Sequence, residues 1–191
     1  MSSRLNAAFT IDLEDAAANS DVSTFYLSSY GVTFSTSASG AVFAAPSGGN
    51  NVFGYSDGGI DTHWGRTSSP ALLASFTTLV SSVAIDFHAQ ADVTMEAFGS
   101  SGSLGVVSFP VVGDATGTLI YNAGTPQISS VQVSIAPQSG ADFGQLDNLT
   151  VSAVPEPSSL LCVALCGIVW GGRCHLVSRR RQEGSADQKA G

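Results

Sequence analysis

From position 83 onward, apolar residues fall on every second place. Val83, Ile85 and Phe87 alternate with Ala84, Asp86 and His88. Val93, Met95 and Ala97 alternate with Thr94, Glu96 and Phe98. Val131, Val133 and Ile135 alternate with Gln132 and Ser134, and Leu149, Val151 and Ala153 alternate with Thr150 and Ser152. Successive side chains of a strand point to opposite faces, so a period of two marks half-buried antiparallel sheet. A helix, with 3.6 residues per turn, cannot gather these residues on one face. Shorter strand candidates cover 9–13, 32–35, 41–45, 52–55, 72–77, 104–109 and 117–121. Between the strands stand turn signals such as Ser47-Gly48-Gly49-Asn50, Asp57-Gly58-Gly59, Gly99-Ser100-Ser101-Gly102 and Asn122-Ala123-Gly124. The one helix-like stretch is about 14–20. Many short strands at this spacing predict an all-β domain over 1–153, an antiparallel β-sandwich or jelly roll.

Charge narrows the functional classes. Only 12% of the chain is charged, about half the usual quarter. The net charge of −8 is unevenly spread: residues 1–154 hold two basic side chains, Arg4 and Arg66, against twelve acids, a balance of 2 − 12 = −10. Such a field repels phosphate backbones and excludes nucleic acid as a partner. Cys162, Cys166 and Cys174 all lie near the C-terminus. The β-domain therefore has neither a disulfide framework nor zinc-ligand spacing, and Cys162 and Cys166 read as small hydrophobes within an apolar run.

That run opens the third part of the chain. After Val154-Pro155-Glu156-Pro157, an uncharged stretch reaches from Leu160 to Trp170, continues through Gly171 and Gly172 to Arg173 and Leu176-Val177, and meets Arg179-Arg180-Arg181. If Arg173 snorkels, a transmembrane helix over about 158–177 can be drawn. The arginine cluster then acts as a cytoplasmic stop, with residues 1–157 outside. Residues 182–191 are polar and predicted to be a disordered tail. Two prolines keep the 154–157 segment extended and open to a protease.

Val-Pro-Glu-Pro, an apolar helix and a basic cluster, in that order, resemble the PEP-CTERM sorting signal of bacterial surface proteins, a tail also labelled an ice-binding protein C-terminal domain. The resemblance implies exosortase as the processing partner, with Pro155, Glu156 and Pro157 as the sorting motif and Arg179, Arg180 and Arg181 as the stop. The chain is then expected to be exported, to sit in membrane lipid before processing, and to end at the cell surface or in the extracellular matrix. Residues 1–9 show no apolar leader, so the true start is expected upstream.

The β-domain's segments "YGVTF" (Tyr30–Phe34), "VAIDF" (Val83–Phe87), "VTMEAFGSSGSLG" (Val93–Gly105) and "LDNLTV" (Leu146–Val151) are similar to those of exosortase-tagged proteins with a lectin-like jelly roll. That resemblance implies a carbohydrate-binding type of sandwich, often with structural calcium.

Candidate chemistry is sparse. There is no G-x-S-x-G elbow, phosphate loop or metalloprotease helix. A glycosidase would need two carboxylates about 5 to 10 Å apart, and no spacing selects a pair. His88 ends a strand on its outward face. His63 and Trp64, in Asp61-Thr62-His63-Trp64, form either a sugar-stacking platform or a loop anchor. Asp12, Glu14 and Asp15 open the domain and Asp147-Asn148 close it. First and last strands of a jelly roll commonly pair, so Asp12, Glu14 and Asp147 are the candidate calcium ligands, hard oxygen donors for a hard cation; solvated acids and an Asp-Asn turn are the alternative. The expectation is a non-enzymatic surface protein whose domain binds polysaccharide, against a purely structural matrix protein or a secreted polysaccharide hydrolase.

Overall fold

In a computed structural model of the chain, residues 8–56, 58–66, 69–137 and 144–152 are described. Thirteen strands and one helical turn follow in the order β1 (Phe9–Ile11), β2 (Ser20–Asp21), α1 (Leu27–Tyr30), β3 (Val32–Thr36), β4 (Val42–Ser47), β5 (Asn50–Ser56), β6 (Ile60–Asp61), β7 (Leu72–Val80), β8 (Ser82–Ala89), β9 (Val93–Gly99), β10 (Gly102–Phe109), β11 (Ala115–Asn122), β12 (Ile128–Ile135) and β13 (Gly144–Ser152). All pairings are antiparallel. They make a four-stranded sheet β1-β13-β8-β11, a five-stranded sheet β10-β9-β12-β7-β3 and a smaller sheet β2-β4-β5-β6. The first strand pairs with the last, Phe9 opposite Val151 and Ile11 opposite Leu149.

The alternation explains the layers. Val83, Ile85, Phe87 and Ala89 of β8, Val93, Met95 and Ala97 of β9, and Val131 and Val133 of β12 turn inward and join one core, each 3% exposed or less. The β4–β5 hairpin closes through Gly48 and Gly49, at φ +62° and +102°. A two-residue loop with both central residues at positive φ carries the twist that adjacent strands need, and glycine adopts it without strain.

Two features depart from the sequence reading. Residues 14–19 form turns and bends, Ser20 opens β2, and the only helix among the described residues is the single turn α1. Asn19 stands at positive φ there, which interrupts helical geometry. The third sheet adds a flank to the expected sandwich. Among the described residues no helix is long and apolar enough to cross a membrane. The segment expected to do so, the Pro155-Glu156-Pro157 motif, the Arg179–Arg181 cluster and the 182–191 tail lie outside the described residues, as does Asp57.

Candidate functional site

On the four-stranded sheet, the residues that alternate away from the core line up in rows across β11, β8 and β13. Thr116, His88 and Gln145 form one row, and Thr118, Asp86 and Asp147 the next. Together with Val52, Phe87 and Gly117 they line an open cleft of about 410 Å³. Phe87 is turned into the core at 3% exposure, so the accessible chemistry is hydroxyl, carboxylate, imidazole and amide.

A bulge in β13 sets this geometry. The register shifts between Asp147 and Thr150, and Asn148 adopts φ +46°. Asparagine tolerates the left-handed region better than most residues. The extra residue lets Leu146 and Leu149 both reach the core, each 0% exposed, while Asp147 stays on the outer face opposite Asp86. Both Asp86 oxygens are engaged: Thr118 Oγ1 donates to one at 2.6 Å and Asn148 Nδ2 to the other at 3.1 Å. Asp147 accepts the Asn148 backbone N–H at 2.7 Å. In the first row, His88 Nε2 at the centre lies 2.8 Å from Asp114 Oδ1, and Gln145 Nε2 at the β13 end donates to Ser47 Oγ at 2.6 Å.

The two carboxylates differ in environment. Burial pushes the Asp147 pKa up to about 6 against the pull of the Asn148 N–H, and the charges of Asp86, Glu14 and Asp12 push the same way. Those last two acids lie in the turn after β1, which is clamped to β5. Glu14 Oε1 accepts the Asn51 N–H at 2.7 Å, and Asn51 Nδ2 donates to the Leu13 and Ala16 carbonyls at 3.1 and 3.2 Å. Asp12 accepts the Glu14 N–H at 3.2 Å.

The sequence-selected acids Asp12, Glu14 and Asp147 thus share one electrostatic neighbourhood, together with Asp86. Among the described residues, however, no three His, Cys, Asp or Glu side chains are close enough to hold one metal ion. Calcium there would need backbone carbonyls or water for the rest of its six to eight oxygens.

His63 and Trp64 occupy a different place. Trp64 is 1% exposed; its indole N–H donates to the Phe53 carbonyl at 2.7 Å and its ring packs on Tyr55, centroids 4.8 Å apart. No face remains for a pyranose, so the sugar-platform reading of Trp64 is corrected to an anchor. His63 is fixed through Nδ1 to Asp61 Oδ1 at 2.8 Å, and Arg66 Nη1 meets Asp61 Oδ2 at 2.7 Å. Burial raises the Asp61 pKa, but the His63 amide and imidazole and the Arg66 guanidinium outweigh it and hold the carboxyl below its usual range. A second open cleft, about 510 Å³, lies beside this loop and is lined by Thr36, Ser37, Tyr55, Ser56, Ser69 and Pro70 among others.

Asp86, Thr116, Thr118 and Gln145 were not selected from the sequence. Only Asp86 stood in an alternating run in the sequence, and only the strand order brings the four together.

No family model matches the chain, and no curated protein matches it. Among solved structures it is similar to the K1 cleaved adhesin domain of Lys-gingipain from Porphyromonas gingivalis W83, at 11% identity and a TM-score of 0.37, covering 78% of this chain and 99% of that one. It is also similar to BiXyn10A CBM1 in its apo form, at 10% identity and TM-score 0.32, covering 76% and 97%. A third is the CBM22-1–GH10 portion of the Clostridium thermocellum endo-1,4-beta-D-xylanase 10B, complexed with xylohexaose, at 5% identity and TM-score 0.33, covering 64% of this chain and 25% of that one. Likeness at this level carries no residue-by-residue correspondence.

Proposed function

We propose that the chain is an exported surface or matrix protein, sorted by exosortase through its PEP-CTERM tail, whose sandwich binds carbohydrate in the cleft on the outer face of the four-stranded sheet. The observation that carries the binding half is the pair of polar rows, Thr116-His88-Gln145 and Thr118-Asp86-Asp147, across three adjacent strands. Vicinal sugar hydroxyls donate in pairs to carboxylates and accept from amides and hydroxyls, and strands hold such groups at fixed spacing. Recognition here rests on hydrogen bonds rather than aromatic stacking.

A glycan array and affinity electrophoresis of the full chain test it. Asp86→Asn should weaken retention by about tenfold, the scale of one charged hydrogen bond, with little change in melting temperature. Retention equal to wild type would contradict the assignment.

The sorting half is supported by the order of motif, apolar run and arginines in the sequence. In cells with an exosortase, replacing Pro155, Glu156 and Pro157 by alanine should leave an uncut chain in the membrane fraction. Full-length chain dissolved in the cytosol would contradict it.

Structural calcium near Asp12, Glu14 and Asp147 belongs to the same proposal. Its support is the Asp147 carboxyl, whose pKa is raised first by burial and then by the charges of Asp86, Glu14 and Asp12, a crowding that a divalent cation would relieve. A chelator should lower the melting temperature, and an unchanged melting curve would remove calcium from the account.

One observation favours a second reading, a polysaccharide-acting hydrolase. Asp86 and Asp147 stand directly opposite on neighbouring strands with the pKa of Asp147 raised, as in sites where paired carboxyls take different roles. Release of reducing ends that disappears in Asp147→Asn would establish it.

A further inference from the structure

A sheet edge exposes a row of unpaired N–H and C=O groups, and folded chains usually shorten, cover, bend or charge their edges to stop other strands from adding. Among the described strands, every sheet edge but one is short, bent or hydrogen-bonded from outside its sheet. β1 has three residues, and β2 and β6 have two each. β3 is covered: the N–H groups of Phe34 and Thr36 donate to the carbonyls of Ser23 at 2.9 Å and Gly40 at 3.1 Å. β10 is bent by a bulge between Ser103 and Gly105, with Gly105 at φ +150°.

β11 is neither short, bent nor charged, and although β10 packs against its inner face, with Tyr121 over Gly105 and Phe109 near Gly117, no second strand is hydrogen-bonded along its free side. It pairs with β8 on one side over eight consecutive residues, Ala115 opposite Ala89 through Asn122 opposite Ser82, with no register shift. Its sequence, Ala-Thr-Gly-Thr-Leu-Ile-Tyr-Asn, has no proline and no charge. Among the described residues no backbone hydrogen bond from outside the sheet reaches it. Ile120 is 59% exposed on its outer face, and Val112, in the loop that leads into it, is 95% exposed.

We propose that β11 is a self-association edge, occupied by β11 of a second copy of this chain in antiparallel pairing about a two-fold axis. Charge decides the occupant. The chain carries −8, yet between Ala97 and Ala141 the only charged residue is Asp114, which lies 2.8 Å from His88. A like-charged copy is repelled elsewhere and can approach closely along this stretch. An antiparallel strand is also self-complementary: across a two-fold axis each unpaired N–H of one copy meets a C=O of the other. The result is a continuous eight-stranded sheet. Thr116 and Thr118 lie on the same strand as the joint, so two clefts would share one face, an arrangement that raises avidity for a repeating polymer.

Sedimentation of the full chain in detergent, over a range of concentrations, tests the proposal. Wild type should self-associate. Ile120→Glu places like charges near one another at the joint and should weaken the association by about tenfold or more. Leu79→Glu, at a site 47% exposed on another strand, should leave it unchanged. A wild-type chain that stays monomeric would overturn the proposal. So would a dimer that responds equally to both substitutions or to neither.

Discussion

The loop around Asp61 and the outer face of the four-stranded sheet are built from similar side chains, and the fold uses them in opposite ways. Asp61 is matched with cation and donor: His63 at 2.8 Å and Arg66 at 2.7 Å. Its ionised form is favoured, so the carboxylate helps hold the loop over Trp64. Asp147 sits half-buried opposite Asp86 with Glu14 and Asp12 nearby. Its ionised form is disfavoured, and the fold carries a strained charge on an open surface. A matched aspartate contributes to stability. A crowded one lowers stability and leaves a group that a ligand can satisfy, a pattern typical of functional sites.

The largest effect that separates the two regions should come from Trp64. Trp64→Ala empties a fully buried indole site and orphans the Phe53 carbonyl. We expect a loss of about 3 to 5 kcal/mol, or about 10 to 20 °C in melting temperature by calorimetry. A shift of only a degree or two would mean the residue is not an anchor. Next, Asp61→Ala removes the carboxylate that His63 and Arg66 share and should cost about 1 to 3 kcal/mol in urea unfolding. Its pH signature is definite: a carboxyl with a lowered folded pKa contributes stability above its unfolded value and loses it as pH falls through the folded one.

Asp147→Asn should behave in the reverse sense. A folded pKa near 6, raised above the unfolded value, means that this group's favourable contribution is complete below about pH 4 and is lost as pH rises through about 6. The shift alone would be worth about 3 kcal/mol, but the side chain is only half-buried, and solvent screening reduces that to about 1 kcal/mol. With calcium chelated, the variant should therefore be the more stable protein above pH 6.5, with a flatter stability curve between pH 4 and 7. If wild type is the more stable at neutral pH, the crowding is relieved by something bound there. Smallest of all, Thr118→Val removes one exposed hydrogen bond to Asp86. It should change stability by about 0.5 kcal/mol or less while reducing carbohydrate retention.

Local physics made the strands legible. The period-two runs identified β8, β9, β12 and β13, and Ser47-Gly48-Gly49-Asn50 marked a hairpin because few residues other than glycine accept its backbone. The partnership of the first and last strands placed Asp12, Glu14 and Asp147 in one neighbourhood. What could not be read was register. Asp86 looks like any outward polar residue until β13 lies beside β8 and the Asn148 bulge turns Asp147 toward it. The choice between platform and anchor at Trp64 stayed open for a related reason: nothing local shows that Gly144 O accepts the Trp64 N–H at 2.7 Å and holds the loop against β13. That contact joins residues 80 positions apart, beyond the reach of any local pattern.

The central claim is that ligand binding belongs to the outer sheet face and not to the His63–Trp64 loop. Backbone amide chemical-shift mapping of the full chain, titrated with a panel of oligosaccharides, separates the two regions. Shifts should gather at residues 86–88, 116–118 and 145–147, with residues 61–66 still. Shifts centred on the loop, or none on the sheet face at saturating sugar, would contradict it.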